Sequence, residues 1–186
     1  MTQRRIYQNE YPYFITWRTR ENYPLFEKTK FAELLSYIIF NAGRLKRFNV
    51  LAYQIMPDHV HLLTMNACVF ENLIAGTETR DVRSGKMPPC PFPTRVSRPA
   101  VGGNPYTISD LMYTIKSFYY KQIRVKYGIK YSCLQPRFYT RIADTEKYLN
   151  TVIQYIKQNP IKAELSSKYH RLPYQHFDWK KINNLF

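Results

Sequence analysis

Two runs rich in β-forming residues, FNVLAYQIM at 48–56 and HVHLLTM at 59–65, are separated only by Pro57-Asp58. A connection that short cannot cross over to a parallel neighbour, so the pair predicts an antiparallel hairpin turning at Pro-Asp. Side chains alternate along a strand. His59 and His61 therefore leave the hairpin on one face, while Val60 and Leu62 point the other way into a core.

The elements around the hairpin follow from periodicity. YPYFITWR at 11–18 predicts a strand, with Phe14 and Thr16 on one side and Tyr13, Ile15 and Trp17 on the other. Between 30 and 46, Phe31, Leu34, Leu35, Ile38 and Ile39 recur at helical spacing. A second amphipathic helix carries Leu111, Met112, Ile115, Phe118, Tyr119 and Ile123, with Ser109 or Asp110 as its cap and Gly128 near its end. Phe138 to Ala143 predicts a fourth strand, and Asp144 a cap for a last helix that should stop near Asn159, before Pro160.

The order β-α-β-β-α-β-α is that of an α+β, ferredoxin-like (RRM-like) antiparallel sheet with helices on one face, built as a single domain. Residues 77–106, with PPCPFP at their centre, lack any periodic pattern and are expected to be a Pro/Gly-rich flexible insertion between the two halves of that fold. Residues 166–186 are set apart as a basic, aromatic tail.

Composition narrows the partner. Against 13 acidic residues the chain carries 28 Lys and Arg, a formal charge of +15, with tyrosines interleaved through the basic C-terminal half. Cations beside aromatic rings suit nucleic acid, since phosphates pair with the charges and unpaired bases stack on the rings. A solvated basic surface is the plainer alternative. No apolar run is long enough to span a membrane, and no signal stretch opens the chain, so the expected location is cytoplasmic and no membrane partner is expected. Cys68, Cys90 and Cys133 are too few and too scattered for a disulfide framework or a cysteine zinc site.

Two imidazoles at alternate strand positions have Cα atoms about 6.5–7 Å apart and can converge on one metal ion, leaving coordination sites for water or phosphate oxygens. Half-exposed histidines on a sheet would look the same. On the last helix, Leu149, Val152, Ile153 and Ile156 make the apolar stripe; Tyr155 lies roughly 120° from its centre and Asn159 about 80°. The two are four residues apart and share a flank. Asn159 offers a hard amide oxygen as a third ligand, although Asn is also common at a helix C-terminus.

These residues fall into three blocks that match a known group. MPDHVHLL at 56–63 closely resembles the HUH signature (His, hydrophobic, His) of bacterial single-tyrosine transposases, and QPRF at 135–138 and YIKQNPIK at 155–162 resemble the later blocks of the same family. The similarity covers most of residues 5–165 outside the insertion and is greatest to the REP-associated tyrosine transposases. It implies a catalytic domain over 1–165 in which His59 and His61 match the metal-binding histidines. Tyr155 matches the nucleophilic tyrosine and Asn159 the polar residue that completes the metal site. It further implies cleavage of single-stranded DNA through a 5′-phosphotyrosine with Mg2+ or Mn2+, recognition of hairpins of repeated palindromic or insertion-sequence ends, and action as a monomer or a homodimer.

Tyr119, Tyr120 and Tyr148 compete with Tyr155 as nucleophile; Tyr155 is preferred because its partner Asn159 is polar and the block around it matches, whereas Tyr148 is followed one turn later by Val152. Lys116, Lys121, Arg137, Arg141 and Lys157 are the expected phosphate contacts, on charge and position. Two other readings remain open at this stage: a non-catalytic nucleic-acid-binding module on the same fold, and a metallonuclease that uses water as the nucleophile.

Overall fold

The computed structural model describes residues 10–71 and 104–185. Five strands form one antiparallel sheet in the order β4-β1-β3-β2-β5: β1 (Tyr13–Arg18), β2 (Phe48–Ile55), β3 (His59–Asn66), β4 (Tyr139–Ile142) and β5 (Gln175–Phe177). The expected hairpin is β2–β3, with Ile55 opposite Val60 and Gln54 opposite His61. On its other side β3 pairs with β1, and His61 faces Thr16 while His59 faces Arg18.

Alternation along these strands separates two cores. Tyr13, Ile15 and Trp17 of β1, Tyr53 and Ile55 of β2 and Val60 and Leu62 of β3 are buried beneath α1 (Thr29–Lys46) and α2 (Ile108–Tyr127). α1 buries Phe31, Leu34, Leu35, Ile38, Ile39 and Ala42, the stripe its periodicity predicts. It lies so close to β2 that a Cβ on Gly43 would sit 2.8 Å from the Phe48 carbonyl oxygen. α2 follows the expected stripe except at Phe118, whose ring is exposed.

The opposite face is covered too, which corrects the expectation of helices on one side only. α3 (Glu146–Lys162) packs Leu149, Val152, Ile153 and Ile156 against Leu63, Met65 and Ala143. The histidines of β3 open onto this second face, so the helix carrying Tyr155 crosses the same side of the sheet.

Helix ends depart from the sequence reading in small, explicable ways. Thr107, not Ser109 or Asp110, caps α2; its side chain accepts from the Asp110 N–H while the Asp110 carboxylate accepts from the Thr107 N–H. Thr145, not Asp144, caps α3 by accepting from the Tyr148 N–H. α3 also runs through Pro160 to Lys162. Proline costs the bond its N–H would donate to Ile156, but its ring is buried and the last turn is closed by Ala163 N–H to Asn159 O and Leu165 N–H to Pro160 O.

The expected insertion lies outside the described residues except at its end. There Asn104 is buried and its amide donates to the Lys46 and Arg47 carbonyls. The residues read as a tail are part of the fold: Tyr169 and Tyr174 enter the first core, Gln175–Phe177 pairs with β2 as the fifth strand, and Ile182 of α4 (Trp179–Asn183) enters the second core. Cys68 and Cys133 are buried and form no disulfide among the described residues. Among the described residues no helix is long and apolar enough to cross a membrane.

Candidate functional site

The β3 face turned toward α3 gathers four rings. The imidazoles of His59 and His61 have centroids 4.8 Å apart. The Tyr155 ring stands edge-on to His61 at 5.0 Å, and the Phe14 ring stacks against His61 at 5.6 Å and meets Tyr155 at 5.9 Å, so the three rings contact one another. Tyr155 is 43% exposed, so its ring reaches the histidine while its outer side stays open to solvent. Its place off the apolar stripe of α3 is what allows both.

Each histidine is oriented by its Nδ1. In His59 that nitrogen lies 2.6 Å from an Asp58 carboxylate oxygen, and the other Asp58 oxygen accepts from Arg18 at 3.3 Å. In His61 it lies 2.9 Å from the Thr16 hydroxyl. With the protons on Nδ1, both Nε2 atoms carry bare lone pairs. Burial, with the charges of His59 and Arg18 adding to it, pushes the His61 pKa down to about 3, so this imidazole is neutral at physiological pH. Asp58, read in the sequence as a turn residue, and Thr16, read only as a face of β1, are thus parts of the site. Thr16 gains its role from the β1–β3 register and Asp58 from the geometry of the hairpin turn, neither of which alternation within a strand supplies.

The donor set fits a divalent cation. His61 Nε2 is buried without a hydrogen-bond partner, and so is the side-chain amide nitrogen of Asn159, one turn beyond Tyr155. An amide's oxygen and nitrogen exchange places by a flip, so Asn159 is as able to present an acceptor there. Two imidazoles with an amide oxygen leave positions for water or phosphate, as a catalytic site needs. No three His, Cys, Asp or Glu side chains converge on a metal site among the described residues, so a third protein ligand must be of another type, which Asn159 is.

The competing tyrosines stand elsewhere. Tyr119 is buried and donates to the Phe31 carbonyl, and Tyr120 is tied to Ser132 and Leu134; both belong to α2, across the sheet. Tyr148 is half-buried at the other end of α3. Of the expected phosphate contacts, Arg137, Arg141 and Lys157 are exposed, and Lys121 is exposed on α2, away from the histidine face. Lys116 is a correction. It is only 8% exposed, and its ammonium donates to the carbonyls of Gln135, Pro136 and Arg137 at 2.8, 3.1 and 3.0 Å. Its charge is committed to holding the segment before β4.

Residues 7–69, which span β1, α1 and the histidine hairpin, match the family model described as transposase, IS200-like. Over these residues the chain is similar to the IS200-like transposases. The fold agrees: a REP-associated tyrosine transposase, solved bound to a REP hairpin, superposes with a TM-score of 0.61 at 19% identity, covering 100% of this chain and 88% of the other. A candidate transposase from Deinococcus radiodurans R1 aligns with a TM-score of 0.46 at 16% identity, over 90% of this chain and 100% of that one. No curated protein matches by sequence.

Proposed function

We propose that this chain is a metal-dependent DNA endonuclease and strand transferase that cuts single-stranded DNA through Tyr155, next to hairpins of repeated palindromic or insertion-sequence ends. The observation that carries the reading is the Tyr155 ring lying 5.0 Å from His61 on the face where both histidines open. The hairpin bound by the structurally similar REP-associated transposase supports the substrate class.

In this reading the Tyr155 hydroxyl attacks the scissile phosphorus. The bond to the 3′ oxygen breaks, the phenol gives up its proton, the departing oxygen gains one, and a 5′-phosphotyrosine remains. One phosphodiester replaces another, so a free 3′-hydroxyl can reverse the attack and join a new strand without a nucleotide cofactor. A magnesium or manganese ion held by His59, His61 and Asn159 would, when bound, offset charge on the phosphate oxygens. Asp58 and Thr16 fix the two imidazoles beforehand, and Phe14, packed against both His61 and Tyr155, helps keep the ring aimed. Arg137, Arg141 and Lys157 serve the phosphates of the strand, and Lys121 more distant ones.

The test is a denaturing gel of protein incubated with labelled hairpin-flanked single-stranded DNA and Mn2+. Wild type should give a covalent protein–DNA band and Tyr155→Phe none. Equal adduct from Tyr155→Phe rejects the assignment, and cleavage without any adduct transfers it to a water-using nuclease.

A further inference from the structure

The open edge of the sheet next to the site carries an arginine whose partners are phenols. Among the described residues β4 is an end strand, paired with β1 alone. In that register Arg141 faces Phe14 and Tyr139 faces Thr16, the two β1 residues that touch the His61 ring. Both side chains therefore stand on the histidine face, one strand outward. The Arg141 Nε donates to the Tyr139 hydroxyl, its guanidinium carbon lies 5.6 Å from the Tyr139 ring centroid, and the Tyr148 hydroxyl is a second acceptor.

Phenols order the guanidinium without cancelling its charge. Among the described residues no carboxylate lies within ion-pair distance of Arg141; the exposed Asp144 and Glu146 beyond β4 do not reach it. An arginine anchored by surface carboxylates is a solvated ion pair, whereas one anchored by neutral oxygens keeps its remaining N–H groups and full charge for an anion. Beside it the Tyr139 ring is 40% exposed, an aromatic face with no apolar cover.

We infer that Tyr139 and Arg141 form a subsite for the single DNA strand leading to Tyr155, a base stacking on Tyr139 and the adjoining phosphate accepting from Arg141, with Tyr148 positioning the arginine. This rests on the proposed function. A free π-face and a lone cation suit an unpaired nucleotide, because bases within a duplex are already stacked and turn their edges outward.

The experiment measures binding without chemistry, using the full chain in EDTA with a labelled oligothymidylate and, separately, a blunt duplex, by fluorescence anisotropy over a range of salt. Tyr139→Ala should weaken single-strand binding about tenfold with an unchanged salt slope. Arg141→Ala should reduce the magnitude of that slope by about 0.7, the share of one single-strand phosphate, and Arg141→Lys should restore it. Duplex binding should change in neither. Should Tyr139→Ala fail to fold, Tyr139→Leu keeps bulk at the strand edge without a π-face and should show the same loss. Variants that bind the single strand as wild type does, or that lose duplex and single strand alike, overturn the subsite alone. A wild type that binds no single strand overturns the proposed function with it.

Discussion

Replacing Lys116 by Met tests whether that charge serves DNA or the fold. Methionine keeps an unbranched apolar stem and removes the ammonium with its three carbonyl bonds and its contact with the Phe138 ring. Bonds from a charged donor contribute about 1.5–3 kcal/mol each. Against their loss stands relief from holding an ammonium out of water, several kcal/mol by itself. Pro136 and Arg137 are exposed, so water reaches part of what the lysine leaves behind. With about 1–3 kcal/mol for each acceptor that stays dry, the net cost is about 2–4 kcal/mol. Urea unfolding followed by far-UV circular dichroism should therefore show a lower midpoint with an unchanged m-value. The salt slope of single-strand binding should be the same as in wild type. A variant of native stability whose salt slope drops by about 0.7 would refute the structural role and return Lys116 to the phosphate contacts.

Two further outcomes are expected. Asp58→Ala should weaken Mn2+ binding by about 10–100-fold, since the carboxylate that sets the His59 ring is gone; calorimetry with Mn2+ alone reads this, and unchanged affinity argues against the orientation. Alkaline stability should depend on Tyr53, whose burial raises its pKa to about 12 despite the opposing Ser36 hydrogen bond. Its folded pKa lies above the unfolded value, so the contribution is complete below pH about 10 and is lost as pH rises from there to about 12, at up to about 1.4 kcal/mol per pH unit. Tyr53→Phe should flatten that part of the stability profile, and an identical profile would show that the phenol does not titrate on unfolding.

The strands and the first two helices were legible because their signals are local: alternation in β1 and β3, and the buried stripe of α1. The hairpin placed His59 and His61 together for the same reason. What the sequence could not provide depends on which distant elements become neighbours. α3 shares a face with the histidines because strand order brings β1 and β4 outward from β3, and no periodicity carries strand order. Thr16 and Asp58 were invisible as ligand-orienting residues because their partners come from register and from a turn geometry. Lys116 misled because charge on a helix reads as surface until the carbonyls it meets are known. Residues 175–177 are too few to show alternation, so their pairing with β2 has no sequence signature.

That last pairing has a consequence for the order in which the protein acquires its shape. The Gln175 side chain donates to Gln54 across 121 residues and reaches the Lys157 carbonyl on the helix of Tyr155. Gln54 in turn faces His61 across the hairpin. Closing so long a loop has an entropic cost that local contacts do not share, so the hairpin can zip long before its outer border is sealed. Until then β2 exposes bare backbone beside the histidines, a docking edge for stray strands, and the helix of Tyr155 lacks its brace.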